Sequence, residues 1–169
     1  MKNISIRFAI IASVTFIIWC CIEHLMGYNT TKMEMGQYTR LASAYLFWVF
    51  IVITIIFKKK ELGGIVSFAS CLKAGVTMVI IYSAITAVWL AFYQHFINPD
   101  FYPLVKQFSI DQMKVAGKNE MEMASEIKEI DMSYNGSAFS YLLYFVFSTI
   151  AGSIIAMIAS LIVRSRGKV

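Results

Sequence analysis

Four stretches of this sequence are apolar enough and long enough to cross a lipid bilayer, and they leave the chain few other ways to fold. A helix crossing a hydrocarbon core of about 30 Å needs about 20 mostly apolar residues, because each adds about 1.5 Å. The stretches are Phe8 to Met26, Leu41 to Phe57, Ala74 to Phe96 and about Ala138 to Val163. The second is short and the fourth long, so tilt or a projecting end has to absorb the mismatch. A mean hydropathy of +0.67, with 59% hydrophobic and 15% charged residues in a chain of 169, leaves too little polar surface for a water-soluble domain. The expected fold class is all-α, an integral membrane four-helix bundle forming a single membrane domain over residues 1–169.

The placement of charge orients these spans. A net charge of +5 would suit nucleic acid, but the basic residues stand in short clusters beside apolar runs, which fits anionic lipid headgroups instead. No nucleic-acid partner is expected. Lys2 and Arg7, then Lys58, Lys59, Lys60 and Lys73, then Arg164, Arg166 and Lys168 fall on one side of the membrane, with Glu61 as their only acid. The other side dilutes Lys32, Arg40, Lys106, Lys114, Lys118 and Lys128 among eight acids from Glu34 to Asp131. Because translocating basic residues is disfavoured, both termini are expected in the cytoplasm.

Lys2 and Arg7 ahead of the first span raise the question of a signal peptide, yet Cys21 to Tyr28 offers no small-x-small cleavage site. The span is expected to be an uncleaved anchor. The cysteines Cys20, Cys21 and Cys71 lie in or beside apolar runs and read as buried small hydrophobes.

Between the third and fourth spans, residues 98–134 carry their own helical signals. Asn98-Pro99-Asp100 reads as a capped start with proline at the first helical position, and Phe101, Leu104, Val105 and Phe108 fall on one face. Gly117 should end that helix, and Asn119 with Glu122 makes a capping box for a second. Its positions Met123, Ile127, Ile130 and Tyr134 repeat the helical period. The expectation is an amphipathic helical hairpin on the outer face, docked on the helix ends or the lipid interface, because each apolar stripe would otherwise face water.

Small residues recur every four positions in the fourth span, at Ser148, Gly152, Ala156 and Ser160, and Gly75, Val79, Ser83, Ala87 and Ala91 do much the same in the third. Such seams let backbones approach closely. They suit packing between these two spans or a homodimer face.

Three segments carry a resemblance. Lys60-Glu61-Leu62-Gly63-Gly64-Ile65-Val66-Ser67-Phe68, then Lys73-Ala74-Gly75, then Phe96-Ile97-Asn98-Pro99-Asp100-Phe101 together resemble a Bacteroidetes-type family of four-helix membrane proteins of unknown function. The resemblance implies a bacterial inner membrane and a multi-pass, four-helix fold, and it brings no activity. Read physically, the paired glycines release the chain from helix and Ser67 caps the next one. Ser67 with Lys73 also offers a candidate lipid-phosphate corner against the plain structural reading.

The ionisable residues that bear weighing are Glu23 and His24 near the outer end of the first span and His95 near the outer end of the third. Their depths match, so they are expected to be able to meet within reach of water, as a proton relay, a metal site or an interfacial polar cluster. Met33, Met35, Met121 and Met123 add soft ligands suited to copper, although ten methionines in an apolar helical chain are also ordinary packing. No phosphate loop, nucleophile elbow, paired-cysteine zinc site or His-Glu-x-x-His helix is present, so no catalytic residue and no cofactor are assigned. The expected function is a non-enzymatic membrane protein acting through lipids, itself or another membrane protein. The alternative is a transporter-like or small-ligand or metal-binding protein, with Ser83, Thr86, Ser148 and Thr149 as its mid-membrane polar groups.

Overall fold

Local signals in the sequence start and stop most of the helices. In a computed structural model describing residues 3–165, the order is α1 (Ile4–Leu25), α2 (Met33–Glu61), α3 (Phe68–Phe92), a π-helical turn (Tyr93–Ile97), α4 (Phe101–Val115), α5 (Glu120–Tyr134) and α6 (Ala138–Val163). Lys2, Arg166 and Lys168, counted above among the orienting charges, lie outside the described residues. Asn3, Ser67, Asn119 and Ser137 cap α1, α3, α5 and α6 with their side chains, each accepting a first-turn backbone N–H. At Asn119 the capping box with Glu122 is complete. The end of α1 needs Gly27, whose φ of 79° closes the helix through Gly27 N–H to His24 C=O (3.0 Å) and Tyr28 N–H to Glu23 C=O (2.8 Å).

Three boundaries differ from the expectation, each for a physical reason. The second span is not short: α2 has 29 residues, about 43 Å of helix, and projects well beyond a hydrocarbon core of about 30 Å. An apolar window stops at the hydrocarbon, whereas the helix continues through Met33 to Arg40, where polar Glu34, Gln37 and Arg40 sustain a helix that apolarity does not register. The third span likewise starts six residues earlier, at the Ser67 cap. Asn98 does not cap α4. Asp100 occupies that position without a side-chain bond, Pro99 lies in the preceding turn, and Pro103 stands in the first turn of α4, where a missing N–H costs nothing.

The fold is all-helical among the described residues, and α1, α2, α3 and α6 are each long and apolar enough to cross a membrane. They pack around α3, which touches α1, α2 and α6. Ile51, Ile55, Met78, Val79 and Cys71 are buried at its centre, and the Phe47 and Tyr82 rings stack there at 4.0 Å. At the α3–α6 seam, a Cβ on Gly75 would lie 2.8 Å from Ala156 Cβ, and one on Gly152 would lie 2.8 Å from Val79 and 2.9 Å from Phe47. Only glycine permits that approach. Ser83 and Ser148 bridge the same seam at 2.9 Å, and buried Ser160 bonds back to the Ala156 carbonyl. The opposite surfaces stay apolar and open: Ile6, Ile10, Val14, Ile18 and Ile22 form an exposed stripe along α1. An exposed apolar surface of this extent suits lipid rather than water.

Candidate functional site

The end of the molecule where α1 stops, α2 starts and α3 unwinds into its π-helical turn holds a buried polar network. Glu23 is only 4% exposed, although it stands in the last turn of α1. Its carboxylate accepts from Trp19 Nε1 at 2.9 Å and from Asn29 Nδ2 at 3.5 Å, and among the described residues no cation lies within ion-pairing distance. Arg40 reaches Asn29 Oδ1 at 3.3 Å instead. A buried carboxylate is tolerable only when its oxygens are bonded, so Trp19 and Asn29 fix where Glu23 can point and are fixed in return.

Asn98 joins this network to the π-helical turn. Its side chain, 5% exposed, donates to the Asn29 carbonyl at 2.9 Å and lies 3.2 Å from Tyr93 Oη, while its backbone N–H closes the turn on the Tyr93 carbonyl at 2.8 Å. Tyr93 Oη meets His24 Nδ1 at 3.0 Å. One asparagine thus ties the α1–α2 loop, the end of α3 and the entry to α4 together.

Glu23, His24 and His95 do not form one cluster, contrary to the expectation, and Glu23 is not open to water. Glu23 turns to Trp19 and Asn29, His24 to Tyr93, and His95 to the α6 side, where Nδ1 lies 2.9 Å from the Ala91 carbonyl and 3.3 Å from Tyr141 Oη. With Nδ1–H donated to Ala91, the Tyr141 hydroxyl donates to Gln94 Oε1 at 3.0 Å. Among the described residues no group of three His, Cys, Asp or Glu is placed to hold a metal. Met33 is buried under the hairpin whereas Met121 is 84% exposed, so the methionines do not converge either.

The hairpin covers this end. Met33, Tyr93, Phe101 and Val105 form a second buried cluster, with Trp89, Leu104, Phe108, Ile130 and Tyr134 packed around it. Phe101 meets the rings of Tyr93 and Tyr134 edge-on, each at 6.1 Å. Burying one such side chain contributes roughly 1.5–3 kcal/mol, which is what holds a long excursion of chain in place. Across the hairpin, Lys106 pairs with Asp131 at 2.8 Å, and the Tyr102 hydroxyl donates to the same carboxylate at 2.7 Å. The Lys106 hydrogen bond, then that of Tyr102, holds the Asp131 carboxyl below its ordinary value, and the Asp131 bond raises Lys106 above its own. Lys118 and Glu126 form a second pair. Between α4 and the start of α2 lies an open cleft of about 540 Å³, lined by Thr31 to Met35 and by Leu104, Gln107, Phe108 and Asp111.

At the opposite end, Ser67 Oγ accepts the Ser70 N–H at 3.3 Å and Lys73 stands exposed, with no hydrogen bond joining the two. Lys59 Nζ instead caps α6 at the Val163 carbonyl (2.9 Å), and Ser165 staples the loop through Val66 and Gly64. Of the hydroxyls within α3 and α6, Ser83 and Ser148 bond each other, Thr86 accepts from Tyr144, and Thr149 Oγ1 is buried with no partner among the described residues. Asn29, Arg40, Tyr93 and Asn98 are the residues sequence reasoning missed at the network.

A family described as "Protein of unknown function (DUF4199)" matches residues 7–165. The chain belongs to this family. The match takes in all four long helices and the hairpin, so the capped end lies within the family's shared region. No curated protein and no solved structure matches the chain.

Proposed function

We propose that the chain is a four-helix integral protein of the bacterial inner membrane, with its hairpin on the outer side, that acts through partners and performs no chemistry of its own. The observation that carries this reading is the construction of the hairpin end. The excursion between α3 and α6 is pinned by Asn98 and by a second buried cluster, so it presents a fixed surface instead of a mobile linker. Its outward side holds exposed Val115, Met121 and Met132 among Glu120, Glu122, Lys128 and Glu129, a mixed surface of the kind protein partners use. Charge supports the orientation: Arg7, Lys58, Lys59, Lys60, Lys73 and Arg164 stand at the other end with Glu61 as the only acid, facing anionic headgroups.

Both halves of this reading are testable with one pair of probes. In a variant lacking Cys20, Cys21 and Cys71, an impermeant thiol reagent added outside should modify a cysteine at Met121 and spare one at Lys60. The reverse pattern overturns the topology. A photocrosslinker on the Met121 probe should then give a discrete protein adduct in native membranes; adducts to lipid and water alone overturn the partner role. The cleft beside Glu34 and Asp111 favours a second reading, small-ligand binding.

A further inference from the structure

The cleft between the start of α2 and α4 belongs neither to the buried network nor to the outward face of the hairpin. Its lining joins apolar Met35, Leu104 and Phe108 to charged Lys32, Glu34 and Asp111. None of those three charges takes part in the ion pairs formed among the described residues, and Asp111 accepts only from Gln107 Nε2 at 3.0 Å. Free charges of both signs beside apolar side chains describe the complement of an amphiphile with a dipolar head. The volume, about 540 Å³, falls in the range that holds a small molecule.

Depth identifies the amphiphile. Tyr38 on α2 is 62% exposed, and in the membrane-spanning arrangement proposed above it stands just beyond the apolar run, where aromatic rings collect at the membrane–water interface. Glu34 stands one turn further out, about 6 Å along the axis. The headgroup layer is itself about 5–7 Å thick on each side of the hydrocarbon. This step rests on the membrane-spanning arrangement proposed above, though not on which side the hairpin faces.

We infer that this cleft binds the headgroup of an aminophospholipid, with the primary ammonium held between Glu34 and Asp111, the phosphate beside Lys32, and the upper acyl chain along Leu104 and Phe108. A primary ammonium has three N–H donors for the two carboxylates, whereas a quaternary choline head has none. An anionic head without an ammonium meets two carboxylates against one lysine. The cleft therefore orders phosphatidylethanolamine ahead of phosphatidylcholine, and phosphatidylcholine ahead of phosphatidylglycerol.

The test is native mass spectrometry of the detergent-purified full chain with each of the three lipids at equal concentration. Phosphatidylethanolamine should be retained roughly tenfold or more over phosphatidylglycerol, the weight of one charge-assisted hydrogen bond. Glu34→Gln with Asp111→Asn should abolish that preference, and Lys32→Gln should weaken retention while keeping the order. All three positions are exposed, so an unchanged melting temperature separates lost binding from lost fold. Equal retention of the three lipids, or an undiminished preference in the double variant, overturns the site. Glycerophosphoethanolamine that competes as well as the intact lipid overturns the lipid as occupant. Selective binding by a basic peptide in place of any lipid overturns it in favour of a protein ligand. Because the measurement is made in detergent, it stands or falls independently of the labelling topology.

Discussion

Replacing Asn98 with alanine removes a buried side chain that joins the α1–α2 loop to the end of α3. Two groups lose a partner: the Asn29 carbonyl, bonded at 2.9 Å, and Tyr93 Oη at 3.2 Å, although Tyr93 keeps His24. Leaving a buried polar group unsatisfied costs about 1–3 kcal/mol. With Asn29 only 4% exposed, water can reach its carbonyl only if the loop lifts. Taking about 2 kcal/mol for the pair, local opening should become roughly 30-fold more frequent. Asn98→Asp should be worse, since it turns an acceptor toward a carbonyl.

Amide hydrogen exchange in lipid nanodiscs reads this directly. Protection should fall over residues 26–32 and 93–101 and carry into α4, while the buried centre around Ile51, Met78 and Val79 keeps its wild-type rate. Protease should cut the hairpin faster. Should exchange at Asn29 and along α4 stay at the wild-type rate in Asn98→Ala, the asparagine would not be what fixes the hairpin as a surface for partners.

Two further outcomes follow from the packing and the charges. Gly152→Leu should lower stability in detergent by about 1–3 kcal/mol, because its first added atom already meets Val79 and Phe47, whereas Ile155→Leu should be nearly silent; equal melting temperatures would remove the α3–α6 seam as a close contact. The Lys106–Asp131 pair should make hairpin protection depend on pH. The Asp131 carboxyl is depressed, so its contribution is complete above the unfolded value of about 3.9 and is lost as pH falls through the folded one. Lys106 is raised, so its contribution is complete below about 10.4 and is lost as pH rises further. Proteolysis of the hairpin should therefore be flat between these limits and quicken below about pH 4, and Asp131→Asn should remove that acid step.

What could be read from the sequence divides along the range of the interaction. Spans are legible because lipid demands a contiguous apolar run, and the caps at Ser67 and Asn119 are legible because each acts on a backbone N–H three residues away. Asn98 reads as a cap for the same reason, and wrongly, since its real partner is 69 residues away and only the fold brings it near. The start of α2 was hidden because apolarity measures where lipid ends, not where a helix does.

The dispersal of Glu23, His24 and His95 was, in contrast, implicit in helical geometry. Matching depth is not matching direction: neighbours on a helix point about 100° apart, so Glu23 and His24 cannot face one partner. Two positions along a helical turn lie on nearly opposite sides, so once Tyr93 faces His24 on α1, His95 must face away from it. There it finds Tyr141 on α6. A polar cluster at this depth therefore had to be assembled from residues on different elements whose faces converge. Glu23 on α1, Asn29 in the loop, Arg40 on α2, Tyr93 in the π-helical turn and Asn98 beyond it meet that condition, and the hairpin needs that arrangement because Asn98 is its anchor to the loop between α1 and α2.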